Sequence, residues 1–530
     1  MISIIQTDAL CEMTPAVSDV LKKLQCTKRT MKLPSVYKEE LKEAILKGMS
    51  PSKVSKYEFE KTDLYTVQNG RAYFMPGLIH KVKDMLESSG MAYTIHRSVD
   101  ESIRPMPDWS KVDPLRGRQL EVLATIAASD GGIVKAATGY GKSYIIKQIL
   151  KMFPTLKILI VSKAQAVVRE LYKRAVEAVG DEAGCVYAGI NNSVGKRVVV
   201  TTTRSLHKIP EEEVQLLLFD EAHALGVNDC AEQLKRFTNC RRFGFTATPF
   251  RSDGSEIMLE CFFGPRLVDI EYEESVEQGN VTQINYIMMD INNGPTFIED
   301  DLDTGKTTSQ LFKKRWAYWK NNTRNQTIAY VVKCALDRGL QVLVMLETLE
   351  HAVMLHQYLP DLPVVHYGGS SKSFDGVAEN LLKDSHMKEV FYQYAIDNGI
   401  PTDNMLDVAV KYMEDKYTLK SKDKNALSDK MASGELRAAI ATMTWSEGVD
   451  YKQLNVLVRA DGMVSKVRND QIPGRLSRLW GDKKCGLLID FNDNWTPWAR
   501  RNTAAREATY KRNHWDKLQT LEELFENAHK

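Results

Sequence analysis

The stretch Val214-Gln215-Leu216-Leu217-Leu218-Phe219-Asp220-Glu221-Ala222-His223 decides the fold. The run from Val214 to Phe219 lacks the period-two alternation of a half-exposed strand, so it reads as a strand buried on both faces of a parallel sheet. Two adjacent carboxylates, Asp220 and Glu221, end it. A buried strand that delivers acids to its carboxyl end outlines a site for phosphate and metal.

Upstream stands Ala136-Ala137-Thr138-Gly139-Tyr140-Gly141-Lys142-Ser143, directly after the apolar Gly132-Ile133-Val134 and directly before a helical pattern from Tyr144 to Met152. Strand, glycine loop and helix in that order form the context of a phosphate-binding loop. Gly139 and Gly141 let backbone N–H groups turn inward, helped by the helix dipole. Lys142 then neutralises the β- and γ-phosphates, and the Ser143 hydroxyl ligates Mg²⁺.

Outward from these two motifs, helix and apolar strand alternate from Asp113 to about Tyr272. Strands are predicted at Leu156–Val161, Arg197–Thr202, Val214–Phe219 and Arg242–Thr246. That pattern predicts a parallel doubly wound sheet, in which ligands collect beyond the carboxyl ends of the strands. A second alternating half begins near Thr327, with strands at Val342–Leu346, Val364–His366, Ala438–Thr442, Val456–Arg459 and Gly486–Phe491.

Four further stretches follow the same order along the chain. Leu115-Arg116-Gly117-Arg118-Gln119 precedes the glycine loop, and Thr246-Ala247-Thr248-Pro249-Phe250-Arg251-Ser252-Asp253 follows the acids. Ser446-Glu447-Gly448-Val449-Asp450 and Gln471-Ile472-Pro473-Gly474-Arg475-Leu476-Ser477-Arg478 lie in the second half. Together with Asp220–His223 this set resembles the superfamily 2 helicases, over roughly residues 113 to 495. In arrangement it is similar to the branch-migration group, the UvsW-type recombination helicases of T-even phages and the XPB helicases. Ala136 departs from the general loop pattern, which has glycine there, but is the form seen in helicases.

The resemblance implies two tandem RecA-like doubly wound α/β domains, preceded here by a small α+β domain. It also implies residue roles. ATP and Mg²⁺ are held by Arg116, Gln119, Ala137, Thr138, Gly139, Tyr140, Gly141, Lys142, Ser143, Gly448 and Asp450, with Ser143 and Asp220 on the metal and Gln119 on the adenine. Glu221 orients and deprotonates the attacking water, while Gln471, Arg475 and Arg478 reach the γ-phosphate from the second half. His223, Thr246 and Thr248 link nucleotide state to nucleic acid. Ser162, Lys163, Thr202, Thr203 and Arg204 grip a nucleic-acid backbone, though Ser or Thr after a strand is often merely a helix cap.

The domain divisions expected are 1–105, a basic α+β domain for duplex DNA; 113–272, the first motor domain; 273–325, a connection; 326–495, the second motor domain with a helical insertion at about 371–425; and 496–530, a helical tail. The formal charge of +2 hides an asymmetry, because residues 21 to 57 carry ten Lys/Arg against three acids. Those lysines suit a duplex backbone or simply solvate a packing domain. In the first division a helix is expected around Val17–Leu24 and an amphipathic one over Val36–Lys47. A hairpin is expected about Asn69-Gly70-Arg71, then a helix over Leu78–Ser88, a strand over Ala92–Arg97 and a linker over Ile103–Asp113. The connection holds a polar portion, Asn292 to Asp303. Its Trp316, Tyr318 and Trp319 either stack on bases or fill a core.

The insertion reads as two helices, Val377–Ile396 and Thr402–Tyr417, hinged at Asn398–Pro401. With eight lysines and ten acids over residues 371 to 425 it is no simple phosphate patch, so a strand-splitting wedge, a partner surface and a decorative hairpin all stay open. The tail interleaves Trp498, Arg500, Arg501, Arg506, Tyr510, Lys511, Arg512 and Trp515, which suits nucleic acid or a helix packed back on the second domain.

The eight scattered cysteines form no C-x-x-C pair and read as reduced thiols without structural zinc. No apolar run reaches the ~18 residues that cross a bilayer, so no membrane partner is expected. The expected location is the cytoplasm, or the host cytoplasm for a phage-encoded protein. The expectation is a monomeric ATP-dependent DNA helicase or translocase that remodels forked, branched or duplex DNA beside recombination or replication proteins. Alternatives are an RNA helicase or the motor of a restriction or defence system.

Overall fold

Seven strands open the chain: β1 (Ile2–Gln6), β2 (Cys11–Thr14), β3 (Gln25–Met31), β4 (Tyr57–Asp63), β5 (Tyr65–Gln68), β6 (Arg71–Phe74) and β7 (Tyr93–Arg97). This is a computed structural model. It describes all residues except 33–34, 38, 41–42, 44–54, 56, 212–213, 226–228, 248–255, 292–309, 367–373, 443–444, 446–450, 463–471, 482 and 528–530. The helix expected over Val36–Lys47 lies largely, and the polar portion Asn292–Asp303 wholly, outside the described residues.

Five of the opening strands form one sheet in the order β5-β6-β2-β1-β7, while β3 and β4 pair as a separate antiparallel ribbon. The Asn-Gly signal acts as read. Gln68 pairs with Arg71, and Asn69 and Gly70 both take positive φ, the geometry that matches strand twist in a two-residue hairpin. Against this sheet packs the helix Ile79–Ser88, burying Val82 and Leu86 among Ile4, Met13 and Phe74.

Chain 131–270 supplies β8 (Gly131–Ala136), β9 (Ile158–Ser162), β10 (Ala183–Tyr187), β11 (Ile190–Asn191), β12 (Val198–Thr202), β13 (Leu216–Asp220), β14 (Arg241–Thr246) and β15 (Arg266–Ile270). They form an eight-stranded sheet in the order β11-β10-β12-β9-β13-β14-β8-β15, parallel throughout except at β11. The decisive strand β13 lies between β9 and β14, and all its residues are buried. Each large apolar side chain removed from water there contributes roughly 1.5–3 kcal/mol, which is why the run tolerates no alternation.

Met1–Glu271 forms one compact unit. The opening sheet is fastened to the parallel sheet inside it. His80 Nε2 and Lys81 Nζ reach Glu260 at 3.0 and 2.8 Å, and Gly77 passes so close that a Cβ there would lie 2.2 Å from the Glu260 carbonyl oxygen. The stretch Ile103–Asp113, expected as a linker, is instead clamped to the helix Lys142–Met152. Gln148 Oε1 accepts from the Asp113 amide at 2.8 Å, Lys151 pairs with the Asp113 carboxylate at 2.6 Å, and the Asp108 amide donates to Met152 at 2.8 Å.

The second unit, Tyr272–Lys530, is built on a seven-stranded sheet, parallel at every pairing. Its strands are β16 (Gln283–Ile291), β17 (Val342–Met345), β18 (Val364–Val365), β19 (Ala438–Ala441), β20 (Val456–Arg459), β21 (Cys485–Asp493) and β22 (Asp516–Lys517), in the order β18-β19-β17-β20-β21-β16-β22. β16 falls inside the stretch expected as a connection, yet it pairs with β21 over nine positions. Tyr318 and Trp319 are buried, so these two aromatics fill a core and do not present faces to bases.

The insertion differs from its reading in two ways. Its first helix is broken into Asp375–Leu381 and Ser385–Asn398, because Asp384 caps the second by accepting from the Met387 amide at 3.1 Å; a further helix spans Ser421–Ser433. Its helices also share the core of the sheet. Phe374, Phe391, Met413 and Tyr417 are part of the same buried cluster as Val344 and Ile440 of the sheet. The expected hinge is present, with Gly399 left-handed at the end of the second helix.

The tail helix Pro497–Arg512 is packed, not free. Arg506 and Tyr510 are fully buried, and both donate to Asp490 Oδ2 of β21, at 2.9 and 2.7 Å. Arg324 reaches Asp493 at 3.0 Å in the same dry network. Burial works against the Asp490 carboxylate, but Arg506 and Arg459 together hold it below its ordinary range.

Candidate nucleotide site and nucleic-acid interface

Three parallel strands, β8, β13 and β14, bring their carboxyl ends to one edge of the first sheet. Chain leaving β8 turns through Gly139 and Gly141, at φ 91° and 101°, into the helix that begins at Lys142. Side chains with Cβ atoms resist this left-handed geometry, which glycine adopts freely. Lys142 is buried, and its Nζ donates to the carbonyls of Ala136 at 3.1 Å and Ala137 at 3.4 Å. Its ammonium is thus folded under the loop. Thr138 and Ser143 are partly exposed at the mouth, while Ala137 and Tyr140 are buried.

Gln119 lies against this loop. Its Nε2 donates to the Tyr140 carbonyl at 3.3 Å and its Oε1 accepts from the Arg116 amide at 3.0 Å. A Cβ on Gly141 would stand 3.1 Å from Gln119 Nε2, so the second glycine also makes room for the glutamine. Arg116 itself is exposed.

Asp220 is buried at the end of β13, and its Oδ1 has no hydrogen-bond partner. Burial, then the neighbouring Glu221 carboxylate, push its pKa up to about 7, against the pull of the Lys142 ammonium. A dry carboxylate oxygen without a donor, beside a lysine, is what a hard divalent cation would complete; the donor set fits Mg²⁺, with the Ser143 hydroxyl as second ligand. The next residue turns sharply. Glu221 is left-handed at φ 55°, a conformation that costs a non-glycine residue on the order of 1 kcal/mol or more and clusters at functional sites.

That turn carries His223 back over β14. His223 Nδ1 lies 3.3 Å from Glu221 Oε2 and 3.1 Å from Thr246 Oγ1, and Thr246 is fully buried at the end of β14. Gly244 permits the crossing, since a Cβ there would lie 2.9 Å from that of Ala222. Glu221 and Thr246 therefore both approach one imidazole nitrogen, which joins the acid pair to the end of the next strand.

Two strands away, Thr202 and Ser162 face each other in register across β12 and β9. Lys163 and Arg204, just beyond, are exposed, and Thr203 is partly so. Neither strand-end hydroxyl caps a helix. The helix after Ser162 has Ala164 at its N-cap, and Thr202, although at an N-cap position, makes no side-chain cap bond; its Oγ1 instead donates to Ser205 Oγ at 3.1 Å.

The second unit presents Arg475 and Arg478 in and after the short turn Pro473–Arg475. Arg475 is buried and Arg478 partly exposed. The turn is strapped to its sheet. Thr282 donates its amide to Ser477 at 2.7 Å, Lys483 Nζ donates to Leu476 at 2.6 Å, and Gly486 of β21 leaves the space, because a Cβ would lie 2.4 Å from the Leu476 Cβ. Thr248, Gly448, Asp450 and Gln471 lie outside the described residues. Sequence reading did not find Thr282 or Lys483, whose support of the arginine turn is a tertiary matter without a local pattern.

Fold and motif set define a chain that resembles the superfamily 2 helicases, with two RecA-like parallel-sheet lobes. Residues 113–251 match the family described as "Type III restriction enzyme, res subunit". Among curated relatives, DNA 3'-5' translocase XPB2 of Sulfurisphaera tokodaii is 27% identical over 187 residues, covering 35% of this chain and 41% of the relative. The chain's matches to its curated relatives span 33% to 60% of their length. Among solved structures, S. cerevisiae Dbp5 bound to RNA and ADP BeF3 is 12% identical with a TM-score of 0.52, over 78% of this chain and 93% of that one, a likeness of fold. T4 UvsW is 16% identical over 98% of both chains, with a TM-score of 0.38. Among the described residues no helix is long and apolar enough to cross a membrane, and no group of three or more metal-ligating side chains is present.

Proposed function

We propose that this chain is an ATP-driven motor that moves on DNA and remodels branched DNA, by fork regression or branch migration. The observation that carries the reading is the gathering at one sheet edge of a buried loop lysine, a dry carboxylate with an unpartnered oxygen, and the Glu221–His223–Thr246 path.

In this reading Lys142 leaves the Ala136 and Ala137 carbonyls to neutralise the β- and γ-phosphates, and Gln119 recognises adenine beside the loop. Mg²⁺, bound through Ser143 and Asp220, supplies charge neutralisation at the phosphates. Glu221 orients the attacking water and takes its proton. Arg475 and Arg478 meet the charge developing on the γ-phosphate when the two units close on one nucleotide. Opening and closing then differ in their grip on DNA through Ser162, Lys163, Thr202, Thr203 and Arg204, and that differential affinity is the physical source of movement. His223 and Thr246 transmit the state of Glu221 to the strand ends. The chain acts as a monomer in the cytoplasm, with recombination or replication proteins as partners.

Assignment to DNA rests on the likeness to an XPB2 translocase and on the basic stretch 21–57. A restriction-system motor is the second reading, favoured by the family description matched over residues 113–251. The deciding experiment measures ATP hydrolysis with single-stranded DNA, plain duplex, forks, Holliday junctions and RNA, and follows the products on gels. Greatest stimulation by forks and junctions, with regressed or migrated products, is expected. Greatest stimulation by RNA would overturn the DNA assignment, and turnover on plain duplex without junction products would favour the restriction motor. Lys142→Ala and Glu221→Gln are expected to abolish hydrolysis while leaving DNA binding intact; unchanged turnover in either would refute the assigned roles.

A further inference from the structure

The β3–β4 ribbon has two unlike faces. In its antiparallel register Arg29 stands opposite Phe59, Thr27 opposite Lys61 and Met31 opposite Tyr57, while Lys28 faces Glu60 and Thr30 faces Glu58. Directly opposed residues share a face and alternate along the strand. One face is therefore aromatic and cationic, with Phe59, Tyr57, Arg29 and Lys61 and with Asp63 at its base, and the other carries Lys28 beside Glu58 and Glu60.

The aromatic face is open. Phe59 is 63% exposed and Tyr57 38%, although β-strand phenylalanines ordinarily pack against a second layer. Arg29 lies over the Tyr57 ring, 4.7 Å from its centre, so the guanidinium is held at this face. The ribbon is rooted firmly. Cys26, at its base, is buried in the same cluster as Leu206 and Leu225, which follow the Thr202–Arg204 and Asp220–His223 segments. Between the two strands the sequence from 32 to 56 is rich in lysine.

We propose that this ribbon face is a binding site for an unpaired nucleic-acid strand, with Phe59 stacking on a base and Arg29 and Lys61 meeting the adjoining phosphates. The inference rests on the reading of the chain as a nucleic-acid motor and names the chemistry its opening domain takes. A protruding ring beside two cations suits a base and its phosphates, and the opposite face, where Lys28 stands against Glu58 and Glu60 with no aromatic ring, lacks that pairing. Duplex does not satisfy the ring, because paired bases hide their faces in the stack. The basic stretch suits any phosphate backbone, but the exposed ring selects a single strand.

The test uses the full chain and a fluorescent oligothymidylate, with a blunt duplex of equal length, at one fixed salt concentration. Phe59→Ala and Phe59→Leu are expected to weaken single-strand binding about five- to hundredfold, the loss of one stacked base. Phe59→Tyr restores it, and duplex affinity and basal ATP hydrolysis stay as in the parent. Unchanged single-strand affinity in both variants would overturn the proposal, as would equal losses on single strand and duplex, which would mean backbone contact only. A dimer that becomes a monomer on Phe59→Leu, by light scattering, would assign the face to a second copy instead. The two readings fail separately. Tight, Phe59-dependent single-strand binding without ATP turnover sinks the motor and spares the ribbon, whereas DNA-stimulated turnover with Phe59-independent binding does the reverse.

Discussion

His223 and Thr246 are where the proposed coupling rests on single atoms. Thr246 Oγ1 is buried where β14 ends, 3.1 Å from the imidazole nitrogen that also approaches Glu221. Thr246→Val keeps the shape and removes the oxygen. Loss of the His223 contact by itself costs about 0.5–1.5 kcal/mol. If the path carries information, the variant hydrolyses ATP at the basal rate and loses the stimulation by DNA; stimulation equal to the parent's would break the link between this pair and coupling. At this scale the places of Asp220, Glu221 and Lys142 were legible from the strand end and the glycine loop that they follow, whereas Gln119 was named from the resemblance. The left-handed turn at Glu221 was not, since nothing in Asp-Glu-Ala-His announces a positive φ. Arg506 misled for another reason. In sequence it is one more basic residue on a polar helix, and only Asp490 and Asp493, brought alongside by β21, make it a buried strut.

Among the elements, the arginine turn has the most consequential support. Lys483 is half-buried, donates to Leu476 and stands near Arg478, and burial followed by that arginine push its pKa from 10.5 down to about 7. Between these two values the unfolded chain holds a proton that the folded chain lacks, so this lysine makes stability rise with pH across the window; below about 7 the cost of charging it is fully present. Lys483→Met is expected to flatten the dependence of the urea midpoint on pH between about 7 and 10. An unaltered slope would place the ammonium in water. Strands were the legible elements, because buried parallel strands are continuous apolar runs. β16 escaped as a strand because its Gln283, Asn285 and Asp290 interrupt the run. The insertion's first helix looked continuous, since the Asp384 cap and the break before it have no stronger signature than an acid on a helix face.

At the scale of the whole molecule, the proposed mechanism needs both halves to share a nucleotide. Within Met1–Glu271 the opening sheet is fastened beside the eight-stranded sheet by Glu260, His80, Lys81 and the close pass at Gly77, and the separate β3–β4 ribbon joins the same unit through buried Cys26. Within Tyr272–Lys530 the helices of the insertion share the core of the second sheet, and their removal is expected to open that core. The order of the motifs made two lobes legible from sequence. What a linear pattern cannot carry is which surplus segments are structural, because Phe391 and Met413 look the same on a free hairpin as in a shared core. The claim that most needs testing is the joint grip on ATP, and single-turnover hydrolysis by Arg475→Ala, beside its nucleotide affinity, tests it most directly. The account predicts affinity within a few-fold of the parent and a rate lower by about 10³ to 10⁵, the contribution of an arginine finger. Hydrolysis at the parental rate would contradict it.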